Sequence, residues 1–174
     1  MLGARAIPGI EAERARLRGT LVYQWTNAFS LGIEWNPVAE ELNPLANWRV
    51  VDEGELRPAL VVGTSSDRIG TEDGSSWYAT LAKDLEAWSG LPVAPYAGVA
   101  WSEAEDELHA IGGLSIRYGE EWSSLHMWDG ENLHHVVERS FDEHVLGLVL
   151  AQQDDEWFLG LSWSWACAAP WARE

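Results

Sequence analysis

The sequence has a single cysteine, Cys167, among its 174 residues. One thiol can form no internal disulfide bond and no cysteine-based metal cluster, which is typical of a reducing compartment. Basic residues are also scarce, since 11 Lys and Arg stand against 28 Asp and Glu and the formal net charge is -17. Because a surface this acidic repels a phosphate backbone, we expect no nucleic-acid partner.

Long apolar runs are missing too. The longest uncharged stretches, residues 87–102 and 157–172, end after sixteen residues and are interrupted by Gly, Pro and Ser. A helix needs about 20 predominantly apolar residues to span a bilayer, so we expect no transmembrane helix. Residues 1–18 also lack the order of basic, apolar and small residues that marks a secretory signal peptide. These two absences favour a cytoplasmic protein, or one peripheral to a membrane, over an outer-membrane protein.

The short motifs that mark many enzymes are absent from the sequence. It contains no Walker loop, no Gly-rich dinucleotide fingerprint, no nucleophile elbow and no zinc-helix motif. Carboxylates are numerous enough to supply a hydrolase, but no one pair stands out. We therefore expect a protein that acts through binding, without a cofactor, rather than an enzyme.

The composition is that of a folded domain. Hydrophobic residues make up 47% of the chain and charged residues 22%, which is typical of a protein with a packed core. Residues 11–18 are good helix formers with one large apolar side chain, Leu17. They predict a short helix in a loosely docked N-terminal arm, residues 1–18, followed by a single β-rich domain over residues 19–174.

From residue 19 onward, short segments of β-branched and aromatic residues alternate with turn signals. Beyond Pro92 the spacing of about eight to twelve residues predicts an antiparallel meander that forms a barrel or a sandwich, not βαβ units. The strongest short hairpin signal is Asp129-Gly130. The fold class is therefore mainly β with at most one substantial helix. The strand candidates are 20–26, 31–35, 48–51, 58–63, 94–101, 108–118, 121–128, 133–140, 145–152 and 157–165.

Residues 76–88 fit two interpretations. Trp77, Leu81 and Leu85 recur at helical spacing after a serine that could cap a helix, which predicts the one substantial helix of the chain. Read with period two, Trp77, Ala79 and Leu81 instead mark one face of a strand. The pattern alone favours the helix.

The candidate strand 157–165 has two unlike faces. One face is apolar along its whole length, from Trp157 to Trp165, whereas the other carries Phe158 followed by glycine and serines. An apolar face with aromatic ends, opposite a small and polar face, is typical of a barrel wall with an apolar outside. The same pattern is typical of a sandwich sheet with a core side and a solvated side.

Tryptophan is strongly over-represented, with 12 copies. Several copies lie at the ends of strand candidates, in two sets that a strand length separates, as in the two interface girdles of a membrane barrel. Tryptophan is also enriched at protein interfaces. We therefore predict a binding surface of aromatic side chains at the strand ends, formed by Trp101, Trp128 and Trp157 at one end and Trp122, Trp163 and Trp165 at the other.

Part of the chain resembles the hairpins of bacterial outer-membrane β-barrel proteins. The residues that carry the resemblance are RPALVVG at 57–63, IGT at 69–71 and SWYATLAK at 76–83, together with the Trp-ended strands. The resemblance implies a strand over residues 77–85 and an outer-membrane-type barrel, and it brings no catalytic residues with it.

Three of the five histidines are candidate ligands for a divalent cation. If Gly119-Glu120 and Asp129-Gly130 are tight turns, Gly113 pairs with His126 and His126 pairs with Leu133. His126 and His135 are then diagonal neighbours, and His109 lies further along the same face. Three imidazoles on one face could bind zinc or a similar ion. A shift of one residue in the register would separate them.

Acidic residues concentrate in the predicted turns. Between residues 99 and 156, fourteen Asp and Glu stand against two Arg. In a meander the first, third and fifth turns share one end of the sheet, so that end gathers the acids of residues 103–107, 129–131 and 154–156. Such an end could attract calcium or a basic protein surface. It could equally serve only to keep a Trp-rich sheet soluble.

Three functions fit these features. The first is a non-catalytic structural or accessory subunit that packs on a partner protein, or at a membrane interface, through its Trp-rich strand ends. The second is a small-ligand or carbohydrate-binding β module in which Trp and Tyr stack on sugar rings. The third is the outer-membrane-type barrel that the resemblance implies. Composition and pattern favour the first.

Overall fold

The computed structural model of the protein describes residues 1–69, 71 and 73–167. Residues 168–174 of the expected β-rich domain and residue 70 of the motif at 69–71 therefore lie outside the described residues. The described residues form twelve strands and two single-turn helices, which in chain order are β1 (Leu2–Ala6), α1 (Glu13–Arg16), β2 (Leu17–Gln24), β3 (Phe29–Asn36), β4 (Glu41–Val51), β5 (Ala59–Ser66), β6 (Ser75–Ala82), α2 (Glu86–Ser89), β7 (Val93–Ser102), β8 (Glu107–Tyr118), β9 (Trp122–Trp128), β10 (Leu133–Phe141), β11 (His144–Gln153) and β12 (Glu156–Trp165).

The twelve strands form one closed antiparallel barrel. Each strand pairs with the strands that precede and follow it in sequence. Strand β1 closes the ring, because it pairs with β12 on one side and with β2 on the other. The predicted mainly-β meander is confirmed, and it forms a barrel rather than a sandwich.

The segment 76–88, for which the pattern favoured a helix, is mostly a strand. Strand β6 covers its first part and pairs with β5 and β7, so both sides of its backbone are hydrogen-bonded in the sheet. The helix α2 is one turn long and is followed by Gly90, which caps it with φ 68°. The helical spacing misled because cross-strand pairing outweighs a local pattern of three large side chains. No helix among the described residues is long and apolar enough to cross a membrane.

Residues 1–18 are part of the barrel, which corrects the expectation of a loosely docked arm. Strand β1 lies between β2 and β12, and the short helix expected at 11–18 is reduced to α1. Between β1 and β2 the chain turns into one end of the barrel, where Ile7 and Ile10 are fully buried. These two side chains supply the apolar contact that residues 11–18 lack.

The buried apolar core lies inside this end of the barrel. Ile7, Ile10 and Ala15 pack with Val149 and Ala151 of the strand β11. We call residues 7–16 the plug, this end of the barrel the plugged end and the opposite end the far end. The polar contacts that fix the plug are those of the buried Arg14 with the carbonyl oxygens of Asp67 and Gly74, and that of the Ala12 N–H with Gln153 Oε1 at 3.2 Å.

Several acidic residues of the turns have a backbone role. Asp106, Asp142 and Asp154 have φ values of 50–56°, and Gly119 and Gly130 also have positive φ values. Gly adopts this left-handed conformation freely, and Asp adopts it at less cost than most other residues. Part of the acidic excess in the turns therefore follows from the conformation that tight turns between strands require.

Candidate functional site

The outward face of the barrel is apolar. Side chains alternate between the outside and the lumen along each strand, and residues that pair across strands share a face. On β12 the outward positions carry Trp157, Leu159, Leu161 and Trp163, all of which are exposed. Exposed aliphatic side chains elsewhere on this face are Leu2, Leu17, Leu21, Leu31, Ile33, Leu42, Leu81, Val99, Leu108, Val137, Leu146 and Leu148.

Aromatic side chains ring both ends of this apolar face. Of the six tryptophans predicted at strand ends, Trp101, Trp128 and Trp157 lie at the plugged end, and Trp122, Trp163 and Trp165 lie at the far end. Their binding role stays a prediction. The plugged-end rim is completed by Trp35 and Trp77, and the far-end rim by Tyr23, Trp48, Tyr118 and Phe141.

The two rims are separated by nearly the full length of the strands. Trp157 and Trp165 are eight residues apart on β12. At about 3.3 Å per residue this separation is about 26 Å along the strand. With the strand tilt of about 40° that is usual in membrane barrels, it is about 20 Å along the barrel axis.

The lumen is lined by polar and charged side chains. Glu34 is 1% exposed, forms an ion pair with Arg18 and accepts a hydrogen bond from Asn36 Nδ2 at 3.1 Å. Arg5 lies opposite Arg18 in the register, and both side chains line a cavity of about 410 Å³ in the lumen. The same cavity is also lined by Asn47, Tyr78, Glu138 and Ser162. Most charged side chains of the strands therefore face the lumen, and most large apolar side chains of the strands face outward.

The acidic turns gather at the plugged end, as the meander predicts, because each of them follows a strand that runs toward it. Arg68 joins two of these turns, since its Nε donates a hydrogen bond to Glu105 Oε2 at 3.0 Å and its guanidinium also pairs with Glu131. The hydrogen bond from Arg68 holds the pKa of Glu105 below its usual value. Arg68 therefore neutralises part of the negative charge that the acidic turns bring to the plugged end. The three turns are 103–106, 129–132 and 154–155.

Asp129 organises the middle turn of this end. Burial by itself would raise the pKa of Asp129, but its hydrogen bond with His134 Nε2 at 2.7 Å and those from two backbone N–H groups lower the pKa below its usual value. The backbone donors are Glu131 N at 3.0 Å and Asn132 N at 2.8 Å, both to Asp129 Oδ1. These bonds stabilise a four-residue turn in place of the two-residue turn that Asp129-Gly130 predicted.

The structure separates His109 from the other two histidines that were candidate metal ligands. The turn after β8 has three residues instead of two, so His126 pairs with Leu114 and not with Gly113. This shift of one residue places His126 on the outward face and leaves His109 in the lumen, where His109 Nε2 lies 2.8 Å from Glu105 Oε2. Within the described part of the chain, no group of three or more His, Cys, Asp and Glu could hold a metal ion.

His126 and His135 do come together, directly opposite each other instead of diagonally. They belong to a chain of hydrogen bonds on the outside of the barrel. Ser124 Oγ lies 3.1 Å from His126 Nε2, and His126 Nδ1 lies 2.9 Å from His135 Nδ1. Tyr118 Oη lies 3.1 Å from Ser124 Oγ, and the His135 ring stacks on Trp157 at a centroid distance of 5.5 Å. We call Tyr118, Ser124, His126 and His135 the outward polar cluster.

The outward polar cluster interrupts an otherwise apolar surface. The polar side chains at outward positions away from the strand ends include Ser124, His126 and His135, which are linked by hydrogen bonds, and Thr64 of β5, which lies beside Trp77. Ser124 is 3% exposed, whereas Tyr118 beside it is 55% exposed. Sequence reasoning treated the two histidines as metal ligands and missed Ser124 and Tyr118. The sequence signal for this cluster is that β9 begins and ends with tryptophan but carries polar residues, Ser124 and His126, at the two outward positions between them.

Comparisons of the chain with protein-family models, with curated proteins and with solved structures find no match.

Proposed function

We propose that the protein is a membrane-embedded β-barrel of the outer-membrane type. The observation that supports this proposal best is the apolar outward face, which lies between two aromatic rims while most charged side chains of the strands face the lumen. The outward Arg139 lies beside Trp122 at the far-end rim. A closed barrel pairs the backbone N–H and C=O groups of every strand on both sides. A sheet can lie in hydrocarbon only when its backbone is paired in this way.

The energetics of the outward face favour lipid over water. Leu148, Leu159 and Leu161 are 49–65% exposed in the isolated barrel. Complete transfer of a side chain of this size from water to an apolar environment is favourable by about 1.5–3 kcal/mol. Each of the three would therefore gain about 1 kcal/mol from contact with acyl chains. A soluble monomer rarely leaves a contiguous surface of this kind exposed.

The dimensions of the barrel agree with this placement. An outward apolar band about 25 Å tall, flanked by aromatic girdles, is typical of outer-membrane barrels. The separation of Trp157 and Trp165, about 20 Å along the axis at the usual tilt, places their indole rings near the two edges of such a band. At that depth an indole contacts both acyl chains and headgroups.

The accessory-subunit and ligand-module functions stay predictions with less support. A protein partner docks on one side of a barrel, whereas exposed apolar side chains occur on strands around the whole circumference, from Leu21 on β2 to Leu161 on β12. A sugar platform needs hydrogen-bonding side chains beside its aromatic rings, and the outward neighbours of the rim tryptophans are mostly apolar. The proposal favours the outer membrane over the cytoplasmic or peripheral location expected from composition.

Refolding into lipid vesicles tests the proposal. We expect the chain to float with phosphatidylcholine vesicles in a density gradient and to remain with them after washing with alkaline carbonate. Lipids brominated close to the carbonyl groups should quench the tryptophan fluorescence more strongly than lipids brominated near the chain ends, because the rims lie at the interfaces. A chain that stays monodisperse in buffer without detergent and does not float would contradict the proposal.

A further inference from the structure

We propose that the outward polar cluster is the active site of a serine hydrolase that cleaves lipid acyl esters. In this assignment Ser124 is the nucleophile, His126 is the general base and His135 is the positioning residue. The two distances that carry it are 3.1 Å from Ser124 Oγ to His126 Nε2 and 2.9 Å from His126 Nδ1 to His135 Nδ1. A nucleophile, a base and an orienting group linked in this order form the arrangement of a catalytic triad, which is recognised by geometry and not by residue order.

The two hydrogen bonds require one consistent set of tautomers. For His126 to accept the Ser124 hydroxyl proton, its Nε2 must be unprotonated, so its ring proton is on Nδ1. That Nδ1–H points at His135 Nδ1, which must then be the acceptor and carry its own proton on Nε2. His135 therefore does for His126 what an aspartate does in the Ser-His-Asp triad, in that it fixes the tautomer and the orientation of the base. The ring of Trp157, stacked on His135 with an interplanar angle of 16°, holds the positioning residue in place.

The position of the cluster is not one that stability alone favours. On the lipid side of a barrel, polar side chains are costly and ordinarily occur where they have a function. The neighbouring outward positions on either side of Ser124 and His126 carry Ile116, Val137 and Leu114 in the paired strands, and any of these residue types would fill the same space. The chain instead places a hydroxyl and two imidazoles there and connects them to one another.

Tyr118 supplies the donor that a tetrahedral intermediate needs. Its hydroxyl lies 3.1 Å from Ser124 Oγ, and the ring is exposed at the far-end rim. When a substrate carbonyl reaches Ser124, the Tyr118 O–H can leave the serine oxygen and donate to the carbonyl oxygen on which negative charge develops. The backbone N–H groups of β9 are paired in the sheet, so a side-chain donor is required at this place.

The substrate class rests on the membrane placement proposed above. Ser124 is two residues from Trp122 of the far-end rim, which is about 7 Å along the strand. Aromatic girdles mark the level of the lipid headgroups, so Ser124 lies just below them. The acyl ester bonds of a glycerophospholipid occupy this boundary between headgroup and chain. A bilayer lipid can therefore present its ester at this depth without leaving the membrane. Because Ser124 is 3% exposed and Tyr118 lies against it, the Tyr118 side chain must move aside for the ester to reach Ser124 Oγ.

The reaction needs no co-reactant except water. Ser124 Oγ attacks the ester carbonyl and forms a C–O bond while its proton passes to His126 Nε2. The tetrahedral intermediate collapses, the bond to the lipid alcohol breaks, and that alcohol takes the proton from His126. Water then attacks the acyl-enzyme, with His126 again accepting and returning one proton. The products are a free fatty acid, a lysolipid and the regenerated serine.

The experiment uses the refolded full chain in detergent micelles and in phosphatidylcholine vesicles. A fluorophosphonate probe should label one serine, which mass spectrometry should identify as Ser124. The chain should hydrolyse p-nitrophenyl butyrate in micelles and release fatty acid from the vesicles. Ser124→Ala should lower both activities by at least about 1000-fold. Ser123→Ala is the matched control, because the adjacent serine faces the lumen and its loss should change neither activity.

The roles of the remaining residues have separate readouts. Tyr118→Phe should lower kcat by about 100-fold with little change in KM, since its hydrogen bond is made only in the transition state. His135→Ala should lower kcat, and His135→Asp should restore most of it, because a carboxylate can also orient His126. A purely structural role of His135 would not predict rescue by aspartate.

The outcomes distinguish this proposal from the membrane placement. If the chain floats with vesicles but neither labels nor hydrolyses either ester, the hydrolase assignment is overturned and the membrane barrel is not. If the soluble ester is cleaved through Ser124 but the vesicle lipid is not, the lipid substrate class is overturned. Labelling at another serine, or equal rates for Ser124→Ala and the wild type, would overturn the assignment of the nucleophile.

Discussion

Replacement of Leu148 by arginine measures whether lipid surrounds the barrel. Leu148 is the central outward residue of β11, lies between Val137 and Leu161 in the register and is 49% exposed. An arginine at the bilayer midplane of a β-barrel costs about 2–4 kcal/mol. We therefore expect the free energy of unfolding of Leu148→Arg to fall by this amount. Because 1.36 kcal/mol is a factor of ten, the unfolding constant should rise about 30- to 900-fold. In a barrel surrounded by water, the same exposed substitution should change stability by less than about 0.5 kcal/mol.

The assay is guanidinium denaturation of the protein in lipid vesicles, followed by tryptophan emission. Leu108→Arg is the matched control, since Leu108 is also outward and exposed but lies beside Trp101 at the plugged-end rim. Near the interface the cost of arginine falls to about 0–1 kcal/mol. A large effect at Leu148 with a small one at Leu108 would support lipid contact. Equally small effects at both positions would refute the reasoning.

Three further predictions concern the plugged end. Glu105→Gln should lower the free energy of unfolding at pH 7 by at most about 1 kcal/mol. The hydrogen bond from Arg68 lowers the pKa of Glu105, so this contribution to stability is present above the ordinary pKa of 4.5 and is lost as the pH falls through the lower pKa of the folded state. The difference in stability between the variant and the wild type should therefore vanish in denaturation at acid pH. A difference that persists there would contradict the ion pair. Ile10→Ala should cost about 2–5 kcal/mol in the same denaturation assay, because Ile10 is fully buried in the plug, and a cost below 1 kcal/mol would mean that the plug is not packed as described. Gly160→Ala should cost about 1–3 kcal/mol, since a Cβ there would lie 2.6 Å from the carbonyl oxygen of Ala6 at the end of β1 and 2.7 Å from Cγ1 of Ile7 in the plug. Unchanged stability would show that these groups can move away.

Local patterns were sufficient for much of the wall of the barrel. The alternation along residues 157–165 predicts which side chains of β12 point outward, because a strand has a period of two whatever it pairs with. The rims followed for the same reason, since the end of a strand is visible as the next turn signal. The gathering of the acidic turns at one end required only that consecutive strands are antiparallel.

Features that depend on pairing between strands were not predictable to the same degree. The helical spacing within residues 76–88 was overruled by the neighbouring strands β5 and β7. The plug was missed because its apolar residues Ile7 and Ile10 contact β11, more than a hundred positions further along the chain. The metal hypothesis failed because one extra residue in the turn after β8 moved His126 to the face opposite His109.

The sequence by itself determined that this chain is a meander of antiparallel strands with acidic turns and tryptophans at the strand ends, because periodicity and turn chemistry are properties of adjacent residues. Only the tertiary structure decided that the apolar face is the outside, since closure of β1 onto β12 sets which face encloses the lumen. It also decided that Ser124, His126 and His135 meet, because turn lengths of three and four residues set the registers of β8, β9 and β10. A register is a property of two strands together, and no single segment encodes it.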